Sequence, residues 1–276
     1  MNPASKWGDL WLRGLSAVFL IPSVLADVVY GGVWFTVFAA LLGVLMAQEW
    51  TNIAHKENSA QFALHVAAVI CGAILPFEVG INNTLISILI ISALSIAVAY
   101  FQNPKNPMWA YLGVPYVALP TLAFVLLRTD PVWGVWAIIW VMVIVWSADT
   151  LAYFAGRIIG GPKLAPSISP KKTWAGLAGA IVGSAFASAI LTAFVAPSSF
   201  WPLLLIAGLF AIVEQGGDLF ESSLKRHYGL KDSGRLIPGH GGVIDRVDGL
   251  TIVAICAGLV GYYRNEPTIA QGLLLW

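Results

Sequence analysis

Charged residues are scarce in this chain of 276 residues, and cysteines are almost absent. Asp, Glu, Lys and Arg make up 11% of the sequence, whereas a soluble domain carries about 25%. The two cysteines, Cys71 and Cys256, each lie inside an apolar run, which excludes a disulfide framework and a zinc site of the Cys/His type. Hydrophobic residues reach 58%, so the composition is typical of a polytopic membrane protein.

Long apolar runs dominate the chain, and runs of this length predict transmembrane helices. Nine are predicted, over residues 12–28, 32–50, 60–79, 84–101, 108–127, 132–155, 173–195, 201–224 and 248–264. A cleaved signal peptide is the alternative for the first run, because Lys6 and Arg13 precede its apolar stretch, but no strong cleavage site follows. The predicted fold is therefore all-α, a polytopic integral membrane protein with about nine transmembrane helices.

The distribution of positive charge predicts how these helices are oriented. With the N-terminus in the cytoplasm, nine spans leave thirteen Lys and Arg residues inside and only two, Arg128 and Arg264, outside. Cytoplasmic segments of membrane proteins are enriched in Lys and Arg. We therefore expect a multi-pass protein of the inner (plasma) membrane, with the N-terminus and the active site in the cytoplasm and the C-terminus outside.

Charge is also concentrated along the chain. Of its 15 Lys and Arg and 14 Asp and Glu residues, fifteen fall in two windows, residues 149–172 and 218–248. Both windows are predicted to lie on the cytoplasmic face. We accordingly divide the chain into residues 1–131, with about five transmembrane helices, and residues 132–276, a catalytic transmembrane region.

The second window begins on the eighth predicted span. Asp218, Ser222 and Lys225 are spaced by four and three residues, so they share one face of a helix. A carboxylate in a membrane helix is costly unless it is paired, bound to a metal or facing water. The spacing therefore fits a catalytic group, and it also fits a helix-end salt bridge from Asp218 or Glu221 to Lys225.

The same window continues into a glycine-rich turn and two carboxylates. Asp245 and Asp248 are three residues apart at a helix start, where both could reach one metal ion or could simply cap the helix. The turn before them can bring backbone N–H groups close to an anion. The candidate substrate-binding residues here are Arg226, Lys231, Asp232, His240, Gly241, Gly242 and Arg246.

The first window combines a polar helical stripe with a basic loop. Asp149, Tyr153 and Arg157 follow one another at intervals of four residues, which fits a functional face or an internal Asp–Arg pair that locks helices together. Ser169, Lys171 and Lys172 precede a helix start, a natural place for an anion, although the lysines could serve only as topology anchors. Candidate substrate-binding residues are Asp149, Ser169, Lys171 and Lys172.

The residues of the second window form one long pattern, Ser222-x-Leu-Lys225-Arg226, then Lys231-Asp232-x-Gly234, then Ile-Pro238-x-His240-Gly241-Gly242-Val-x-Asp245-Arg246-Val-Asp248. This pattern resembles the signature of the phosphatidate cytidylyltransferases, also called CDP-diacylglycerol synthases. The first window is similar to the same family in its Asp-Thr-x-Ala-Tyr start and its Ser-Pro-Lys-Lys-Thr loop. The first five helices match mainly in hydrophobicity, with Glu49-Trp50 where the family often has similar residues.

The resemblance implies an all-helical membrane enzyme, typically dimeric. It implies transfer of CMP from CTP to phosphatidate, giving CDP-diacylglycerol and pyrophosphate with the help of Mg²⁺, either alone or with a second cation. The metal would be held by Asp245 and Asp248, with Asp218 assisting. The implied catalytic residues are Asp218, Ser222, Lys225, Asp245 and Asp248. The expected partners are CTP, phosphatidate, the bilayer and a second copy of the chain, with no nucleic acid.

Three other functions fit part of the sequence. A CTP-dependent lipid kinase or an ether-lipid cytidylyltransferase would share much of the site. A transporter could line an ion path with Asp149 and Asp218, but such proteins usually show broken helices in internal repeats, and this chain has no clear repeat. A non-catalytic scaffold would not need the clustered cations and carboxylates.

Overall fold

A computed structural model describes residues 18, 21–56, 58–101, 108–234, 236, 241–264 and 266–276. These residues form α-helices and one β-hairpin. The helices are α1 (Ile21–Tyr30), α2 (Gly32–His55), α3 (Ser59–Glu78), α4 (Ile81–Phe101), α5 (Met108–Arg128), α6 (Trp133–Ile158), α7 (Trp174–Val195), α8 (Phe200–His227), α9 (Ile244–Tyr263) and α10 (Ile269–Leu274). The strands are β1 (Lys163–Ala165) and β2 (Ser169–Thr173), and a 3₁₀ turn, Pro197–Ser199, precedes α8.

Seven of the described helices, α2 to α8, are long and apolar enough to cross a membrane. They correspond to the second to eighth predicted spans, so the predicted all-α polytopic membrane fold is confirmed. The first predicted span is described only at residues 18 and 21–28, and α9, the counterpart of the ninth, is not among the seven. The described residues therefore include seven candidate spans, and the count of nine stays a prediction.

The basic loop after α6 is a hairpin, which the sequence analysis did not predict. β1 and β2 pair antiparallel, with Lys163 opposite Thr173 and an irregularity in the register between residues 163 and 165. Gly160 and Gly161 adopt positive φ angles of 68° and 92°, which favour glycine and let the chain turn out of α6.

The end of the hairpin also starts α7. The Thr173 side chain caps the helix, because its Oγ1 accepts a hydrogen bond from the Gly176 amide at 3.0 Å. The two lysines that precede Thr173 are thus held at the first turn of α7, Lys171 exposed and Lys172 half-buried.

The chain folds as two compact units. The first consists of Met1–Thr121 and Leu230–Arg246, and the second of Leu122–Gly229 and Val247–Trp276. The predicted division after residue 131 concerns where the chemistry lies, and it stays a prediction.

In the first unit, buried polar side chains join neighbouring apolar helices. The Ser95 hydroxyl of α4 donates to Gln61 Oε1 of α3 at 2.6 Å, and Gln61 Nε2 donates back to the Ser95 carbonyl at 2.9 Å. Thr51 Oγ1 of α2 lies 3.3 Å from His65 Nδ1 of α3. These contacts satisfy polar atoms that would be costly if left alone in an apolar environment.

In the second unit, α6 and α7 pack closely because α7 presents glycines to α6. A methyl group added at Gly179 would lie 2.5 Å from Ala155 Cβ and 2.6 Å from the Leu151 carbonyl oxygen. Small residues at such positions let two membrane helices approach. The Ser184 hydroxyl strengthens the contact by donating to the Ile144 carbonyl at 2.9 Å.

A hydrogen-bond chain extends this packing to α8. Trp140 Nε1 of α6 donates to Ser188 Oγ of α7 at 2.9 Å, and the Ser188 hydroxyl donates to the Leu203 carbonyl of α8 at 3.2 Å. The helices that carry Asp149 and Asp218 and the helix that follows Lys172 are thereby fixed against one another.

At the other end of this unit, Asp130 connects the start of α6 to α10. Its Oδ1 accepts the amides of Val132 and Trp133 at 2.8 and 2.7 Å. Its Oδ2 accepts Thr268 Oγ1 and Gln271 Nε2, both at 2.8 Å. One carboxylate therefore holds the C-terminal segment against the turn between α5 and α6.

The last residue is fixed at the same end. The Trp276 amide donates to Ser199 Oγ, in the turn before α8, at 2.8 Å. The Arg264 guanidinium lies 3.8 Å from the centre of the Trp276 ring, a cation–π contact. The α5–α6 turn, the α7–α8 turn and the C-terminal tail thus gather together, as three segments on one side of a membrane would.

Candidate active site

Three carboxylates meet in the second unit. Asp218 and Glu221 come from α8 and Asp248 from α9, and one oxygen of each lies within 4.8 Å of the others. Glu221 is buried, and the other two are half-buried. Carboxylate oxygens are the ligands that Mg²⁺ and Ca²⁺ prefer, so these residues fit a hard divalent cation.

Lys172 connects this cluster to the basic hairpin. Its Nζ lies 2.7 Å from Asp218 Oδ2 and donates to the Gln215 carbonyl at 3.3 Å. Residues from both charged windows therefore lie side by side, and Lys172 fixes the orientation of the Asp218 carboxylate.

Lys225 forms a second ion pair one turn further along α8. Its Nζ lies 2.7 Å from Glu221 Oε2, and both side chains are buried. The helix-end salt bridge considered as an alternative is therefore present, and its acidic partner is Glu221, which also belongs to the carboxylate cluster. The Ser222 hydroxyl lies 3.3 Å from Asp218 Oδ1, so it helps to orient Asp218.

Asp149 extends the acidic region to α6. Its side chain lies close to that of Glu214 on α8 and near Asp218 and Lys172. Glu214 is buried, and its Oε2 accepts Gln215 Nε2 at 2.7 Å. The three residues of the predicted stripe on α6 divide into two groups. Arg157 donates to the Tyr153 hydroxyl at 2.8 Å, whereas the Asp149 side chain turns towards α8.

Most of the remaining predicted binding residues lie at the surface of the described chain, whereas Gly242 is buried. Ser169 and Gly241 are half-buried, and the exposed ones are Lys171, Arg226, Lys231, Asp232 and Arg246. His240 lies outside the described residues. The roles of all these residues in substrate binding stay predictions.

Asp245 lies in the first unit, where it closes the signature loop. Its Oδ2 accepts the amides of Ser233 at 2.9 Å and Gly242 at 3.0 Å. The Gly242 amide, which the sequence offered as a contact for an anion, is therefore used by the protein itself. Among the described residues Asp245 does not belong to the carboxylate cluster, and its role as a metal ligand stays a prediction.

Glu49 of α2, in the first unit, is a buried carboxylate that the sequence analysis noted but did not include among the candidates. Its Oε1 accepts the Val243 amide at 2.8 Å, and its Oε2 accepts the Ile244 amide and the Ser233 hydroxyl, both at 2.9 Å. Glu214 and Glu221 were likewise left out of the candidate list. A carboxylate inside an apolar span is itself the signal that could have found all three.

Comparison with known proteins agrees with this geometry. The model of the "Cytidylyltransferase family" matches residues 11–263. A protein of Brucella abortus named "Phosphatidate cytidylyltransferase" is 37% identical over 267 residues, covering 96% of this chain and 98% of the relative. A protein of the same name from Staphylococcus haemolyticus is 33% identical over 251 residues, covering 88% of this chain and 95% of the relative. The chain therefore belongs to the cytidylyltransferase family.

Proposed function

We propose that this protein is a phosphatidate cytidylyltransferase, which transfers CMP from CTP to phosphatidate and produces CDP-diacylglycerol and pyrophosphate for phospholipid synthesis. The observation that carries the proposal is the cluster of Asp218, Glu221 and Asp248 with the cations Lys172 and Lys225 against it. The names of the two relatives above support the choice of lipid substrate.

The reaction makes modest chemical demands on the protein. An oxygen of the phosphatidate monoester attacks the α-phosphorus of CTP, and the bond from that phosphorus to the bridging oxygen of pyrophosphate breaks. Like a phosphoserine, whose second pKa is about 6, the monoester is already largely a dianion at neutral pH. It needs no strong general base, and catalysis consists mainly of alignment and charge neutralisation.

We assign Asp218, Glu221 and Asp248 to hold Mg²⁺, which would neutralise phosphate charge and assist the departure of pyrophosphate. Lys172 and the Ser222 hydroxyl orient the Asp218 carboxylate, and Lys225 orients Glu221. Each contact fixes a cluster side chain before substrate arrives, which is the preorganisation that phosphoryl chemistry requires.

We place the protein in the inner (plasma) membrane as a homodimer, with its active site facing the cytoplasm. CTP is supplied from that side, and both basic segments fall there by the charge rule. The acyl chains of phosphatidate would stay in the bilayer while its headgroup reaches the carboxylate cluster.

The test is an assay of the purified protein in detergent with CTP and phosphatidate, with and without Mg²⁺. We expect Mg²⁺-dependent release of pyrophosphate in equal amount to CDP-diacylglycerol. Diacylglycerol is the comparison substrate, because a CTP-dependent lipid kinase would phosphorylate it and release CDP. CDP release with diacylglycerol, or no pyrophosphate with phosphatidate, would contradict the proposal.

A further inference from the structure

Glu49 is a buried carboxylate whose hydrogen bonds, within the described part of the chain, all run to the signature segment. Only 1% of its surface is exposed, and its two oxygens accept three donors from residues 233, 243 and 244. Hydrogen bonds to an ionised carboxylate are stronger than those between neutral groups. Glu49 is thus anchored to the loop that leads into α9.

Two glycines of the same segment lie very close to this carboxylate. A methyl group added at Gly234 would lie 2.6 Å from Glu49 Oε1, and its three nearest neighbours would all be Glu49 atoms. A methyl group added at Gly242 would lie 2.6 Å from Glu49 Oε2. Both distances are too short for a carbon atom. At Gly242 the methyl group would overlap Ser233 Oγ even more closely, whereas at Gly234 Glu49 alone supplies the nearest atoms, so Gly234 is required by a residue 185 positions earlier.

We propose that Glu49 is a positioning residue for the reaction, and that α2 acts on catalysis by holding the signature loop. The inference rests on the proposed function. Residues 230–246 fold with the N-terminal helices in one compact unit, so those helices do more than anchor the protein in the bilayer. The loop that Glu49 holds carries Lys231 and Asp232 at its surface, and the first turn of α9 that follows carries Arg246, where these side chains can contact CTP phosphates.

Glutamine at position 49 would preserve the size of the side chain but not its bonding. Three donors converge on two acceptor oxygens, whereas an amide offers one acceptor and turns its NH₂ group towards one of those donors. At least one buried donor is left unpaired, which is costly.

The first experiment compares Glu49→Gln with Glu78→Gln, the same change at an exposed end of α3. For Glu49→Gln we expect kcat/KM for CTP to fall at least about tenfold, with the KM for CTP raised more than that for phosphatidate. The amides of Val243 and Ile244 should exchange hydrogen faster. Glu78→Gln should stay within about twofold of the wild type.

The second experiment is a double-mutant cycle with Gly234→Ala. Because the added methyl group meets only Glu49 among its nearest neighbours, Gly234→Ala alone should lower activity, and Glu49→Ala/Gly234→Ala should be no worse than Glu49→Ala. Losses that multiply would overturn the proposal. So would Glu49→Gln activity within about twofold of the wild type per folded molecule.

These readouts separate the inference from the proposed function. If the wild-type protein released no pyrophosphate from CTP and phosphatidate, the proposed function would fail. Amide exchange at residues 243 and 244 would still show whether Glu49 holds the loop, and unchanged exchange in Glu49→Gln would overturn the inference alone.

Discussion

At the scale of single residues, the ion pair of Lys225 with Glu221 contributes both to the stability of the protein and to its proposed activity. Lys225→Met would leave a buried carboxylate without this cation, at a cost of about 3–5 kcal/mol. We expect a lower melting temperature and little activity. Adding Glu221→Gln should restore the melting temperature but not the activity, because the carboxylate assigned to the metal is then missing. A double variant that melts as early as the single one would contradict this account.

Asp248 tests the carboxylate cluster directly. Asp248→Asn should lower kcat at least about a hundredfold, since it removes a charged ligand where phosphate charge is neutralised. Steady-state kinetics over a range of Mg²⁺ concentrations provide the measurement. Asp130→Asn, the same substitution at the opposite end of the unit, is the control and should keep its activity at neutral pH. Full activity of Asp248→Asn at high Mg²⁺ would rule out the assignment.

Spacing along one helix is the part of the site that sequence can predict. Asp218 and Ser222 were expected on one face of a helix, and they lie in contact there. Glu49 was not included because its partners are 184 to 195 residues away, and no local pattern encodes such a pairing. The Lys172–Asp218 ion pair was likewise not predicted, because the sequence placed both residues on one side of the membrane but did not indicate that they are in contact.

At the scale of helices, the α6–α7 contact depends on the absence of side chains. Gly179→Ala should destabilise the protein by about 1–3 kcal/mol, because the new methyl group would overlap α6. Gly208→Ala on α8 is the matched control, with its nearest neighbour at 3.5 Å, an ordinary contact. It should be neutral or slightly stabilising, because alanine favours the helix. The prediction is tested by the melting temperatures of the two variants in the same detergent. Equal values would be evidence against close packing of α6 and α7.

The bounds of the helices were predictable because apolar runs and breaks alternate clearly in the sequence. The hairpin was not, because β2 reads Ser-Pro-Lys-Lys-Thr and has no alternation of apolar residues. Strands this short are formed by their surroundings rather than by intrinsic preference. Here the Trp174 amide donates to the Pro162 carbonyl across the base of the hairpin, at 3.1 Å.

At the scale of the whole molecule, orientation in the membrane is open to direct test. In a background without Cys71 and Cys256, single cysteines at the exposed positions 167, 236 and 266 would be treated with an impermeant thiol reagent on intact cells. We expect labelling only at position 266, because the charge rule places the other two in the cytoplasm. Labelling at 167 or 236, or its absence at 266, would refute this topology.

Acid should loosen the end of the second unit that Asp130 holds. Burial raises the pKa of this carboxyl, but hydrogen bonds from Trp133, Thr268, Gln271 and Val132 outweigh that effect and hold the pKa below its usual range. The stabilisation is complete above the unfolded pKa of about 3.9 and is lost as the pH falls through the lower folded value. The melting temperatures of the wild type and Asp130→Asn should therefore differ most near neutral pH and converge below about pH 4. A constant difference would contradict this.

The hydrogen bonds of Glu49 can form only late in the synthesis of the chain. Its partners follow 184 to 195 residues later in the chain, and at roughly 5–20 residues per second they leave the ribosome about 10–40 s after it. Throughout that interval α2 carries a carboxylate without these donors, which the bilayer interior disfavours. We expect α2 to remain near water or the insertion machinery until the signature segment is complete. In a chain that ends before residue 233, the Glu49 carboxylate of α2 would never gain these donors. We therefore expect unfinished chains to be easy for the cell to recognise.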